Sequence, residues 1–192
     1  MDTKEKILRK SLTLFSNKGY SGTSMNEIAK TVGIKKPSLY FHFKSKKEIF
    51  ITLFDEVVKD HLSEVKKILN NIDELSTKKK LYGFFKGYLE YCKNSDYVEF
   101  WNRIYYFPPA EFGEEIYEKT AKVENYMENE LELIIKSGIK NKEIKCDDPK
   151  KLLTSYYYML LGFMLSLNDY KGKTIDNDVS RCMEVFWDAV KN

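Results

Sequence analysis

Five side chains that can donate hydrogen bonds or carry positive charge fall close together in this chain: Lys35, Lys36, Ser38, Tyr40 and His42. Lysines offer cations and the hydroxyls offer donors. Such a set is suited to phosphate oxygens and to the acceptor edges of bases. No second cluster competes for chemistry. Histidine occurs only at His42 and His61, and cysteine only at Cys92, Cys146 and Cys182, with no CxxC and no Cys/His grouping. No Ser/His/Asp set is visible. The expectation is therefore no catalytic residue, no metal site and no cofactor. The odd, scattered cysteines fit free thiols in a reducing cytoplasm. Redox sensing by one of them is a minor alternative.

The five donors need a scaffold, and the flanking residues supply one. Ser24 is a plausible N-cap, whose hydroxyl can accept an orphaned N–H of a first helical turn. Met25, Ile28, Ala29 and Val32 recur at i, i+3, i+4 and i+7, which is one apolar helix face. Gly33 suits the left-handed residue of a tight turn. Pro37 suits the first turn of a second helix, where an N–H is not needed. Leu39 would then face the first helix, and Ala29 is small enough to let the two cross closely. The outward side chains are the five named above. This is a helix-turn-helix that would place its second helix in a DNA major groove.

Over roughly residues 5–54 the sequence resembles the tetracycline-repressor (TetR) family of bacterial regulators. The resemblance rests on Phe15…Lys18-Gly19-Tyr20…Thr23-Ser24, on Ile28-Ala29…Val32-Gly33-Ile34, on Pro37-Ser38-Leu39-Tyr40-Phe41-His42-Phe43 and on Lys44-Ser45-Lys46. It implies that Ser24, Tyr40, His42 and Lys46 contact phosphate and that Lys36, Pro37 and Ser38 face base edges. Asn26 and Lys35 are further candidates. Beyond this region the chain matches the family only in length and helical character, so no ligand carries over.

Charge agrees with this division. Of 32 Lys/Arg and 29 Asp/Glu, residues 1–50 hold 11 and 4, a net +7, and the remainder holds 21 and 25, a net −4. A basic head on an acidic body suggests that the head meets a polyanion. With 43% hydrophobic and 15% aromatic residues the 192-residue chain can bury a substantial core. The polar N-terminus does not read as a signal peptide. No apolar run approaches the roughly 20 residues of a membrane span.

The pattern predicts an all-α protein of about nine helices, near residues 3–18, 24–31, 36–42, 45–70, 73–94, 96–107, 113–136, 148–170 and 175–190. Ser45 caps the fourth, with Glu48 as its capping-box partner. Pro108-Pro109 ends the sixth, and Ser137-Gly138 ends the seventh. Residues 1–47 would be a three-helix DNA-binding domain, and 48–192 a helical effector-binding and dimerisation domain. Helix eight is apolar over more than half its circumference, which calls for two packing partners. One is the core and the other, by inference, a second copy. Tyr156, Leu160, Phe163, Met164, Met183, Phe186 and Trp187 are the candidate dimer contacts. In the resembled family the last two helices play this part, and the middle helices enclose an effector pocket. Tyr88, Tyr91, Phe100, Trp101, Tyr105, Tyr126 and Tyr157 are the candidate lining, for a flat or lipophilic effector. A lipophilic cation near Glu90, Glu99 or Glu124 is a subsidiary idea. The Phe107-Pro108-Pro109 break is the expected moving element.

These readings combine into a cytoplasmic, homodimeric, ligand-responsive regulator. Most simply it is a repressor on a palindromic double-stranded operator, released by a small molecule. An activator or co-repressor-dependent regulator of the same fold, a structural DNA-binding protein without effector, and an enzyme are the rivals.

Overall fold

The computed structural model describes residues 2–167 and 175–192. Among the described residues it is all-helical. The helices are α1 (Thr3–Lys18), α2 (Met25–Val32), α3 (Lys36–His42), α4 (Lys46–Ile72), α5 (Thr77–Asn94), α6 (Val98–Tyr106), α7 (Gly113–Lys140), α8 (Pro149–Ser166) and α9 (Asp176–Val190). A short 3-10 turn, Ala110–Phe112, precedes α7, and a single bridge pairs Ile144 with Lys191.

Local signals account for most of these boundaries. Asp2 caps α1 by accepting from the Glu5 N–H at 2.8 Å. Asp148 caps α8, accepting from the Lys150 N–H at 2.9 Å ahead of Pro149. At α4 the Ser45 hydroxyl accepts from the Glu48 N–H at 3.1 Å, and the Glu48 carboxylate accepts from the Lys44 N–H at 2.7 Å. This is the expected reciprocal cap, with its return arm one residue earlier. α6 stops before Pro108-Pro109, as a helix must. The predicted stop at Ser137-Gly138 is wrong: α7 runs on to Lys140. Gly138 is there for packing. A Cβ on it would meet Thr77 Cγ2 at 2.6 Å and Ile144 Cδ1 at 2.9 Å. The turn comes later, at Lys142, with φ 59°. The expected run of helix eight toward residue 170 lies outside the described residues beyond Leu167.

The chain divides into two compact units. Unit one is Met1–His61 with Asp96–Lys122, and unit two is Leu62–Ser95 with Val123–Asn192. Unit one is larger than the 1–47 segment expected to carry the DNA-binding work, because α6 and the turn before α7 belong to it. Its core is aromatic. Phe15 meets Phe50 edge-on at 5.4 Å, Phe50 stacks on Phe112 at 5.2 Å, and Phe100 lies 5.7 Å from Phe50. Such pairs contribute about 0.5–1.5 kcal/mol each beyond the area they bury.

Unit two is built around α5. Leu81, Phe84, Phe85, Tyr88 and Leu89 are buried on it. They are joined in the core by Leu152, Tyr156 and Leu160 of α8, by Val179 and Met183 of α9, and by Met127, Leu131 and Ile135 of α7.

Candidate nucleic-acid interface

The interface is assembled by α2, the turn after it and α3. Ser24 opens α2, its hydroxyl accepting from the Glu27 N–H at 3.2 Å. The buried Thr23 hydroxyl donates to the Gly19 carbonyl at 2.9 Å, which ties the approach to α2 onto the end of α1. An ion pair between Lys18 and Glu27 joins the same two elements. Gly33 adopts φ 80°, ψ 32°, and its N–H donates to the Ala29 and Lys30 carbonyls at 3.0 and 3.2 Å. The left-handed turn this makes is cheap only for glycine. Ile28, Ala29 and Val32 are buried on one side of it, and Leu39 of α3 on the other.

Burying Leu39 fixes which way the rest of α3 faces. Lys35, Lys36, Pro37, Ser38 and Tyr40 are all exposed, and His42 is half-buried. The Lys36 ammonium lies 5.8 Å from the centre of the Tyr40 ring. Ser24 and Asn26, on the neighbouring helix, are exposed as well. All the residues expected at base edges therefore sit on one short exposed helix.

Lys46 is placed differently. Its ammonium donates to the Tyr20 carbonyl at 2.8 Å and lies 4.0 Å from the Tyr20 ring centre. One of its three protons is thus committed inside the unit. The sequence reading missed Phe41. It is 86% exposed, the most exposed large apolar side chain in the structure's described residues. Its register relative to Leu39 was the available signal.

The expected pocket residues divide between the units. Phe100, Trp101 and Tyr105 belong to unit one, and Tyr88, Tyr91, Tyr126 and Tyr157 to unit two. Phe100 is fully buried, with Phe15, Phe50 and Phe54 about it, so its surface is taken up by core packing. Trp101 stacks on Tyr105 at 6.1 Å and lies 4.2 Å from the His61 ring. Burial holds His61 far below its usual range, at about 4. In unit two Tyr88 stacks on Phe84 at 5.7 Å and lies 6.2 Å from Tyr91. The Tyr157 hydroxyl donates to the Glu124 carboxylate at 3.2 Å, and Lys66 caps the Tyr126 ring at 5.2 Å.

Three of the expected dimer contacts face the inside of unit two. Tyr156 is wholly buried, and its hydroxyl donates to the Leu81 carbonyl at 2.6 Å. Leu160 and Met183 are also buried. A side chain already enclosed cannot present itself to a second copy. Phe163, Met164, Phe186 and Trp187 are partly exposed. The large apolar groups that face outward on these helices are Tyr158 and Leu165 of α8 and Val185 of α9.

Among the described residues no group of His, Cys, Asp or Glu is placed to hold a metal, and no helix is long and apolar enough to cross a membrane. Cys92 is buried, which pushes its thiol up to about 12, while Cys182 is exposed.

Comparison with known proteins agrees with the motif. Residues 7–53 match the model of "Bacterial regulatory proteins, tetR family". Over 47 residues the chain is 60% identical to IcaR, the negative transcriptional regulator of the biofilm operon icaADBC in Staphylococcus aureus. That match covers 24% of this chain and spans only a quarter of the length of the relative. Among solved structures, the TetR-family regulator PfmR of Thermus thermophilus shares the fold with a TM-score of 0.72 at 21% identity, over 97% of this chain and 96% of that one. FadR of Bacillus subtilis, solved with stearoyl-CoA, has a TM-score of 0.68 at 18% identity, over 95% and 96%. Residues 7–53 thus carry a helix-turn-helix of the tetR type, and the chain shares the all-helical fold of these regulators.

Proposed function

We propose that the protein is a ligand-responsive transcriptional repressor that binds a palindromic operator as a homodimer. The observation that carries this reading is the orientation of α3. One buried leucine turns Lys36, Pro37, Ser38 and Tyr40 outward together on a unit whose first fifty residues are strongly basic. Phosphate contacts by Ser24, Tyr40, His42 and Lys46 would set the register, and Lys36 and Ser38 would reach base edges. The strong local identity to a negative regulator supports repression over activation.

Two copies are needed to present two such helices about 34 Å apart to the two halves of a palindrome. The outward Tyr158, Leu165 and Val185 supply an apolar face for that pairing. The effector is read as small and lipophilic or aromatic, from the tyrosines and tryptophan of the middle helices. The related fold of FadR accommodates a fatty acyl-CoA. The effector acts only by its differential affinity for forms whose two heads are spaced rightly or wrongly for the operator.

The test is to capture genomic DNA fragments on the purified protein at physiological salt and sequence what is retained. One or a few palindromic sites beside a small gene set are expected. Lys36→Ala should relax the preference among them. Diffuse retention that vanishes with modest salt would overturn the reading in favour of a structural DNA-binding protein.

A further inference from the structure

The crest of α3 is apolar, and this bears on what the helix reads. A helix advances about 100° per residue. Leu39 points into the unit, so Pro37 and Phe41 lie within about 20° of the opposite direction. Lys36 and Tyr40 fall on one flank of that line, and Ser38 and His42 on the other. The exposures agree: Phe41 is 86% exposed and Tyr40 only 43%. The Phe41 ring meets His42 edge-on at 5.4 Å, and Lys36 leans toward Tyr40 on the opposite flank. The ridge that stands furthest from the unit is thus Pro37–Phe41, bordered by polar groups.

An exposed phenylalanine on a short helix, with Lys30, Lys35, Lys36 and Lys44 exposed close to it in sequence, suits a polyanionic partner that also offers an apolar group. In the major groove, the thymine C5-methyl is that group. We propose that Phe41, with Pro37, reads thymine methyl groups, so that each half-site carries at least one thymine recognised through its methyl. The inference rests on the DNA-binding reading above. Phe41 becomes a specificity residue, and the flanking donors keep their polar roles.

The test uses the full chain. Duplexes are selected from a random pool by the wild type, and affinity is then measured on the selected consensus with each thymine replaced singly by deoxyuridine, which removes only the methyl. At one or more thymines per half-site the wild type should lose about fourfold, the worth of one buried methyl group. Phe41→Ala should bind the thymine and deoxyuridine forms alike at those positions, while Phe41→Leu should keep part of the difference. Phe41 buries almost nothing, so both variants should melt with the wild type. A consensus in which no thymine depends on its methyl would overturn the proposal and leave the regulator reading standing. So would a loss that persists undiminished in Phe41→Ala. Failure to select any consensus would overturn both.

Discussion

The ammonium of Lys46 is held by Tyr20 twice over, by its backbone carbonyl at 2.8 Å and by the face of its ring at 4.0 Å. Tyr20 in turn packs edge-on against Phe50 and Phe112, each at 4.9 Å. The first turn of α4 is thereby fixed to the segment that leads into α2. Lys46→Ala should lower the melting temperature as well as weaken binding to all duplexes alike, without altering sequence preference. A cation over a ring contributes about 0.5–2 kcal/mol. The checks are thermal melting and a salt titration of affinity, where the slope should fall by about one phosphate's worth. Weaker binding with an unchanged melting temperature would mean that the Tyr20 contact carries no structural weight.

Gly19 closes α1 at φ 72°, ψ 175°, a backbone conformation that is essentially glycine's alone. A Cβ there would also meet the Arg103 guanidinium at 3.0 Å. That guanidinium donates to the Ser16 carbonyl at 3.2 Å. Gly19→Ala should cost about 1–3 kcal/mol in urea unfolding. Arg103→Ala in the same chain should recover little of it, because the backbone strain remains. Full recovery would assign the cost to the side-chain clash.

Tyr156 donates to the Leu81 carbonyl from a fully buried position. Burial raises its pKa well above the ordinary value of 10.0, so it stays a donor. Tyr156→Phe keeps the ring against Phe85 and removes only the hydrogen bond. A loss of about 1–2 kcal/mol is expected in denaturant unfolding, with the oligomeric state unchanged. A shift in oligomeric state instead would restore Tyr156 to the interface.

His61 supplies a pH signature. Burial lowers its pKa from 6.5 to about 4. Between these values the unfolded chain binds a proton that the folded chain refuses. The stability present above about pH 6.5 is therefore lost progressively as pH falls to about 4, by up to about 3 kcal/mol. Below that the loss levels off. His61→Leu should flatten this stretch of the stability–pH curve relative to wild type, measured by urea unfolding across the range. Parallel curves would show that the imidazole titrates normally in the fold.

Leu165 and Val185 are 58% and 72% exposed on α8 and α9. If that face pairs with a second copy, Leu165→Glu or Val185→Asp should give monomers in analytical ultracentrifugation and weaken binding to palindromes more than to single half-sites. Dimers that persist in both variants would move the interface elsewhere.

The helix-turn-helix was legible in the chain because its determinants are local. A capping serine, an i, i+3, i+4, i+7 apolar face, a glycine at a left-handed turn and a proline in a first turn all act within a few residues, and the structure places each of them as read. The same holds for the Ser45–Glu48 cap and the break at Pro108-Pro109. What the sequence alone could not settle were choices among partners. Periodicity says that a helix has an apolar face; it does not say what covers it. α8 is apolar on a wide arc, and only packing decided that Tyr156 and Leu160 face inward while Tyr158 and Leu165 face out. Phe100 read as a candidate pocket residue, and Phe15, Phe50 and Phe54, distant in sequence, took it for the core. Gly138 looked like a helix stop because the Thr77 methyl that fills its missing side chain lies far along the chain. Lys46 found Tyr20 across 26 residues. Local chemistry determined the elements and the DNA-reading motif. The identity of each buried contact was decided by which faces of the folded chain close on one another.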